Sequence, residues 1–195
     1  NAEYEQSYES SAAAEAQRHG KTVWSVLYDW LLEDDGKALI YFPIYNYTDM
    51  NYDAVRTMMT HPLSLPGLTD GGAHVGYICA ASFPTYLLSY WARDRASGQV
   101  SLSRVVQMLT ADGADYLGLT DRGRVGVGLK ADINIIDHDE LSLKVPHLVQ
   151  DLPAGGQRLL QDVTGYRATF VSGVQVIDND QLTKARPGRL VRAGA

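Results

Sequence analysis

The 195 residues carry 17 Lys+Arg against 23 Asp+Glu, a formal net charge of -6, and 45% of them are hydrophobic. That is the composition of a folded globular chain, and an acidic balance without a Lys/Arg cluster argues against nucleic acid as a partner. The single cysteine, Cys79, excludes an internal disulfide framework and a Cys-only zinc site. The longest apolar stretches are far shorter than the roughly 20 residues of a membrane span, which argues against a membrane partner and for a cytoplasmic protein. A whole TIM barrel takes about 250 residues, more than this chain offers.

The chain starts Asn1-Ala2, without Met and without the basic and apolar regions of a signal peptide. Asn-Ala resembles the scar of a cleaved affinity tag, so a cloned piece of a longer protein is expected. Residues Glu3 to Gly20 are polar and Ala-rich, the pattern of a solvated helix that Gly20 ends. Thr22 to Asp35 is the clearest amphipathic helix: Thr22 caps it, Gly36 stops it, and Val23, Val26, Leu27, Trp30 and Leu31 recur at helical spacing. The Trp24/Trp30 pair reads as a core face. Ala38 to Tyr45 is a continuous apolar run, as in a strand buried on both faces of a parallel sheet, fraying at Pro43.

Asp53 to Thr60 is a short helix with Val55, Met58 and Met59 inward and Pro62 closing it. Leu63 to Leu68 reads as a second strand, running into the glycine-rich loop Thr69 to Gly76. Pro84 to Arg95 is a helix with Leu87, Leu88 and Trp91 on one side. Ser101 caps another, with Leu102, Val105, Val106 and Leu109 as its stripe. Helix, strand, helix, strand, loop, helix, helix is the rhythm of βα units. After Leu119 the pattern changes to short strands and turns: a strand at Ile133 to Ile136, another within Gly165 to Val176, and a turn at Asp178-Asn179-Asp180. The division is therefore a partial barrel over 1–118 and a β-sandwich portion over 119–195. The basic tail Arg186, Arg189 and Arg192 reads as a charged strand edge.

The sharpest local feature is Leu68-Thr69-Asp70-Gly71-Gly72-Ala73-His74. An Asp ending a parallel strand sits where α/β barrels place catalytic groups. Glycines beside it let a backbone approach a ligand without a Cβ in the way. Asp-Gly-Gly is equally the composition of a plain turn, and spacing alone favours the turn. His74, four residues on, is a candidate substrate donor or simply packs its own loop. Cys79 reads as a small packed residue, because no His neighbours it in sequence. Asp137-His138-Asp139 directly follows a strand and reads as a solvated turn in preference to a metal cluster. Asp132 reads as ordering its own turn.

The stretch His61 to Gly76, with Ile78-Cys79-Ala80-Ala81-Ser82-Phe83-Pro84-Thr85 after it, resembles the N-acyl-D-amino-acid deacylase (D-aminoacylase) branch of the amidohydrolase superfamily. So do Arg122 to Asp137, Asp151 to Leu159 and Ala185 to Leu190, in the same order along the chain. The resemblance implies a metal-dependent (β/α)8 barrel with a small β-sandwich built from both chain ends. It implies that Asp70 ends the eighth barrel strand and shuttles a proton for a metal-bound hydroxide; Gly71, Gly72 and His74, read from their place on the same loop, are the candidate substrate-binding residues. It also implies zinc, held by a His-x-His pair, a bridging ligand and histidines of earlier strands. This chain has no His-x-His, and Asp70 is the one residue in it put forward as a metal ligand. The Arg that grips the substrate carboxylate in that branch is missing from the loop after Asp70, and the next Arg is Arg93.

The expected reading is the C-terminal portion of a metal-dependent hydrolase of carbon–nitrogen bonds other than peptide bonds. Its substrate is a small-molecule N-acyl amide, zinc belongs to the full-length parent, and the piece alone is inactive, cofactor-free and homodimeric. The alternative is a stand-alone, non-catalytic interaction or assembly module derived from the same fold.

Overall fold

A computed structural model of the chain describes residues 3–67, 69–72 and 74–192. They form two compact units, one over Glu3–Ser64 and one beginning at Leu65.

In the first unit, α1 (Ala12–His19) is capped by Ser11, whose Oγ accepts from the Ala14 amide. Gly20 closes it in the left-handed conformation, at φ 62°, which a residue without a Cβ adopts at no steric cost. Thr22 caps α2 (Val23–Gly36) by accepting from the Ser25 amide. The span is broken near its end: Glu33 is extended, and Asp34 and Asp35 sit at φ 49° and 54°. Ala14 and Ala16 let α2 approach closely, and Val26 fills the contact at 1% exposure. The predicted stripe is therefore narrower than its spacing. Val23 and Leu31 are exposed, and Trp24 stands 80% exposed instead of facing a core.

Ala38 to Tyr45 forms no strand, which corrects the parallel-sheet expectation. An apolar run without alternation cannot distinguish a buried strand from an extended segment. Here no other strand pairs with it among the described residues, and Pro43 brings no N–H to a ladder. The segment is held by tyrosines instead. Tyr41 and Tyr52 share a hydroxyl hydrogen bond of 2.5 Å, the Tyr47 hydroxyl donates to Gln6 O, and Glu5 accepts from the Tyr52 amide. Burial and the nearby Glu5 carboxylate push the Tyr47 phenol up from its usual value. The predicted short helix is α3 (Asp53–Met59), but Met58 points outward and no residue of it is buried.

The described part of Leu63 to Leu68 is also irregular, and Leu68 itself lies outside the described residues. In the second unit, the predicted helix from Pro84 begins as α4 (Phe83–Tyr86) and continues as a π-helix over Leu87–Asp94. Leu87, Leu88 and Trp91 are buried as expected. The wider π turn also buries Ser89 and Tyr90, and Arg95 lies 4.8 Å over the Trp91 ring, a cation–π contact. Ser101 caps α5 (Leu102–Leu109). Its buried face is Val105 and Met108, while Leu102 and Val106 are exposed, because the 3.6-residue period pairs position 105 with 108 on one face. A further helix, α6 (Ala111–Leu117), follows it.

The composition change after Leu119 marks helix giving way to strand within this unit. Among the described residues eight strands follow: β1 (Ile133–Ile136), β2 (Ser142–Leu143), β3 (His147–Leu152), β4 (Gly156–Leu160), β5 (Val163–Thr164), β6 (Tyr166–Val171), β7 (Val174–Asp178) and β8 (Gln181–Leu182). They make an antiparallel sheet in the order β1-β6-β7-β8 and two antiparallel pairs, β2-β5 and β3-β4. The β6–β7 turn places Ser172 and Gly173 at φ 50° and 78°, the two left-handed residues of a type I′ hairpin. Asp132 orders that turn, 40 residues away, by accepting from the Ser172 amide at 2.7 Å, and it also pairs with Arg122. The predicted turn at Asp178-Asn179-Asp180 joins β7 to β8. Every strand pair among the described residues is antiparallel, and neither a barrel nor a two-sheet sandwich is seen among them. No helix among them is long and apolar enough to cross a membrane.

Candidate functional site

The glycine-rich segment is a loop, as its composition requires. Asp70 and His74 both occupy the left-handed region, at φ 50° and 45°, and Gly72 sits at φ 95°. Side chains other than glycine rarely adopt this conformation, and Asp is among those that tolerate it. Asp70 is exposed. Gly71 donates its amide to Thr69 Oγ1 at 3.0 Å. A Cβ on Gly71 would stand 2.9 Å from that oxygen and 3.3 Å from Ala81 Cβ. Glycine therefore seats the turn against the start of the next helix. A Cβ on Gly72 would meet nothing within 4 Å, so its backbone angle alone calls for glycine there.

His74 is exposed and stacks on Tyr77, with ring centroids 5.2 Å apart. Its carbonyl accepts from the amides of Tyr77 and Ile78. Among the described residues no hydrogen bond or ion pair joins the Asp70 and His74 side chains. Asp70, Gly71, Gly72 and His74 thus lie in one loop segment, with no direct link between the Asp70 and His74 side chains. Ala73, between them, lies outside the described residues.

Beyond the turn, the loop is fastened to the strands. Leu159 of β4 donates its amide to Val75 O at 2.7 Å. Ser82 Oγ donates to Gln161 Oε1, and Thr85 Oγ1 hydrogen-bonds the Tyr166 hydroxyl at 2.8 Å. These pairs are 79 or more residues apart in sequence and carry no local pattern. Cys79 lies half-buried in the same segment, and burial pushes its thiol up from the ordinary value. A thiol held protonated is a poor nucleophile.

Two other sequence features have structural explanations. The Asp137-His138-Asp139 turn is gripped by Arg93, whose guanidinium donates to the carbonyls of His138, Asp139 and Leu141 and pairs with Asp94. His138 Nε2 bonds Leu88 O at 2.9 Å, and Arg167 pairs with Asp137 and Glu140. Arg93 is thus committed to a fold contact, as is the turn that looked like a metal cluster. In the described part of the basic tail, Arg186 donates to the carbonyls of Thr183 and Ala185.

The zinc that the resemblance implies needs about three protein ligands. Among the described residues no group of three or more His, Cys, Asp or Glu is placed to hold a metal ion. Asp70 offers one exposed carboxylate, so the described residues do not by themselves fit the metal. What the loop can do alone is present the exposed Asp70 carboxylate to a ligand.

Residues 39–177 match the Amidohydrolase family, a stretch that takes in the Asp70 loop, the helices after it and strands β1 to β7 up to Ile177. No curated protein and no solved structure matches the chain. The match covers more than half of the 195 residues, and it carries the four resembling segments except the last, so the chain belongs to the amidohydrolase family.

Proposed function

We propose that the chain is the C-terminal portion of a metal-dependent amidohydrolase, zinc-type and cytoplasmic, that hydrolyses the amide of a small N-acyl-D-amino-acid-like substrate. In this reading the chain alone is inactive. Asp70 is the proton carrier. Water adds to the amide carbon, the carbon–nitrogen bond breaks, and Asp70 takes the proton from the water and hands it to the leaving nitrogen. Gly71 and Gly72 keep side chains away from the reacting carbonyl, and His74 donates a hydrogen bond to the substrate. One observation carries the reading: an exposed carboxylate stands on a left-handed, glycine-flanked turn inside the segment that matches the amidohydrolases.

The position of Asp70 at the end of an eighth barrel strand belongs to this proposal too, since the described residues before it are irregular. The experiment is release of free amine from paired N-acyl-D- and N-acyl-L-amino acids by the full-length enzyme. Preferential turnover of the D series is expected. Turnover of neither series would overturn the substrate class.

A further inference from the structure

We propose that Gln161 is a positioning residue for Asp70. The inference rests on the proposed role of Asp70 and adds the group that holds its loop in place. Gln161 lies between β4 and β5, where the β3-β4 and β2-β5 pairs meet. Its amide side chain is used at both ends. Oε1 accepts from Ser82 Oγ, and Nε2 donates to Lys144 O at 3.0 Å. Lys144 is itself tied to this junction, since its amide donates to Asp162 O at 2.9 Å. The side chain therefore bridges a strand junction to Ser82.

From Ser82 the connection to Asp70 is short and steric. Ala81 precedes Ser82 and forms the wall against which Gly71 is seated, with 3.3 Å from its Cβ to the place a Gly71 Cβ would take. Gly71 follows Asp70, and its amide is held by Thr69 Oγ1. The second tether, Leu159 to Val75, comes from the strand that ends just before Gln161. Gln161 and Leu159 thus hold the segment after the site turn at two points, Ser82 and Val75. A carboxylate that moves a proton must stand within hydrogen-bond reach of its partner, and small misplacements are costly in rate. An exposed loop with two left-handed non-glycine residues needs such holding, because strained backbone persists only when its surroundings impose it.

Hydrogen exchange and kinetics together decide the point. In Gln161→Met the side chain keeps its bulk and loses both hydrogen bonds. Exchange of the amides over residues 70–79 is expected to quicken about five- to tenfold, the scale of one lost hydrogen bond, while β3 and β4 keep their protection. Ser82→Ala, which breaks the bridge from the other side, is expected to give the same loop effect. The double variant should add little to either single change, because both remove one interaction. In Gln161→Glu an acceptor for Ser82 Oγ remains while the donor to Lys144 O is lost, so loop protection should return in part. In the full-length enzyme Gln161→Met should lower kcat about tenfold with KM unchanged, and Gln161→Glu should restore part of it.

Unchanged loop exchange in both single variants would overturn the proposal. So would exchange that rises equally across β3 and β4, since that is loss of fold and not of loop position. Unaltered kcat with a loosened loop would overturn it as well. The reading of Asp70 fails separately: if Asp70→Asn keeps the wild-type kcat, the proton role is wrong, while the exchange results still decide what holds the loop.

Discussion

Replacing Gly165 by alanine should destabilise the second unit well beyond the cost of its backbone angle alone. Gly165 joins β5 to β6 at φ 105°, and it is buried. A Cβ there would stand 2.7 Å from Leu141 Cα, 2.9 Å from Leu141 N and 3.0 Å from Asp137 O. All three are backbone atoms, so no side chain can swing aside. Leu141 is itself fully buried, and the Gly165 carbonyl accepts from the Asp137 amide at 2.8 Å. Any shift that relieves the clash strains that bond and the turn that Arg93 grips. Backbone strain at such an angle costs about 1–3 kcal/mol, and overpacking a filled site costs about 1–3 kcal/mol more. The sum, about 2–6 kcal/mol, is a large part of the stability of an ordinary domain.

Gly118→Ala is the matched control. Gly118 caps α6 in the same unit at φ 68°, and a Cβ there would meet nothing within 4 Å. It should cost only the left-handed penalty, about 1–2 kcal/mol. Equilibrium urea unfolding, followed by backbone circular dichroism, compares the two. Gly165→Ala should fall below Gly118→Ala by at least about 1 kcal/mol, the contribution of the clash alone. Equal losses would refute the argument from the backbone contacts at Leu141 and Asp137.

The remaining expectations concern charge and assembly. Asp115, Asp121, Asp137 and Asp151 are held below the usual carboxylate range, each chiefly by a hydrogen bond from its arginine: Arg124, Arg122, Arg167 and Arg158. A depressed carboxylate contributes stability above its unfolded value, near pH 4, and loses it as pH falls through the lower folded value. Thermal midpoints should therefore hold from pH 7 to about pH 5 and drop below about pH 4, less steeply at ~1 M salt because these pairs are exposed; a flat profile down to pH 2 would contradict this. Trp24, Phe42 and Tyr45 are 80%, 75% and 79% exposed in the first unit, and bare apolar surface favours self-association. Light scattering should find a two-fold dimer, and a monodisperse monomer at all concentrations would refute that expectation.

Local chemistry was legible in the sequence wherever it had a short range. Ser11, Thr22 and Ser101 precede their helices and cap them, and Gly20 ends one, because a cap needs only its own turn. Ile133 to Ile136 and the Asp178-Asn179-Asp180 turn lie where their residue types place them. Ala38 to Tyr45 misled because a strand depends on a neighbour, and apolarity says nothing about whether one is there. The π-helix after Tyr86 altered which side chains of that helix are buried, and an assumed 3.6-residue period could not show it. At the candidate site, Asp70 and its glycines announced a turn. The holding contacts through Leu159, Ser82 and Gln161 did not show in sequence, since they join segments 79 or more residues apart.

Under the proposed function, Asp70 moves the proton in amide hydrolysis. The most direct test is Asp70→Asn in the full-length enzyme, with kcat and metal content measured on the same preparations. The amide keeps the shape of the side chain and cannot carry the proton. A fall in kcat of at least about 10²-fold is expected, the scale of losing a general acid–base group, with metal content near that of the wild type. A rate within a few-fold of wild type would remove Asp70 from the mechanism.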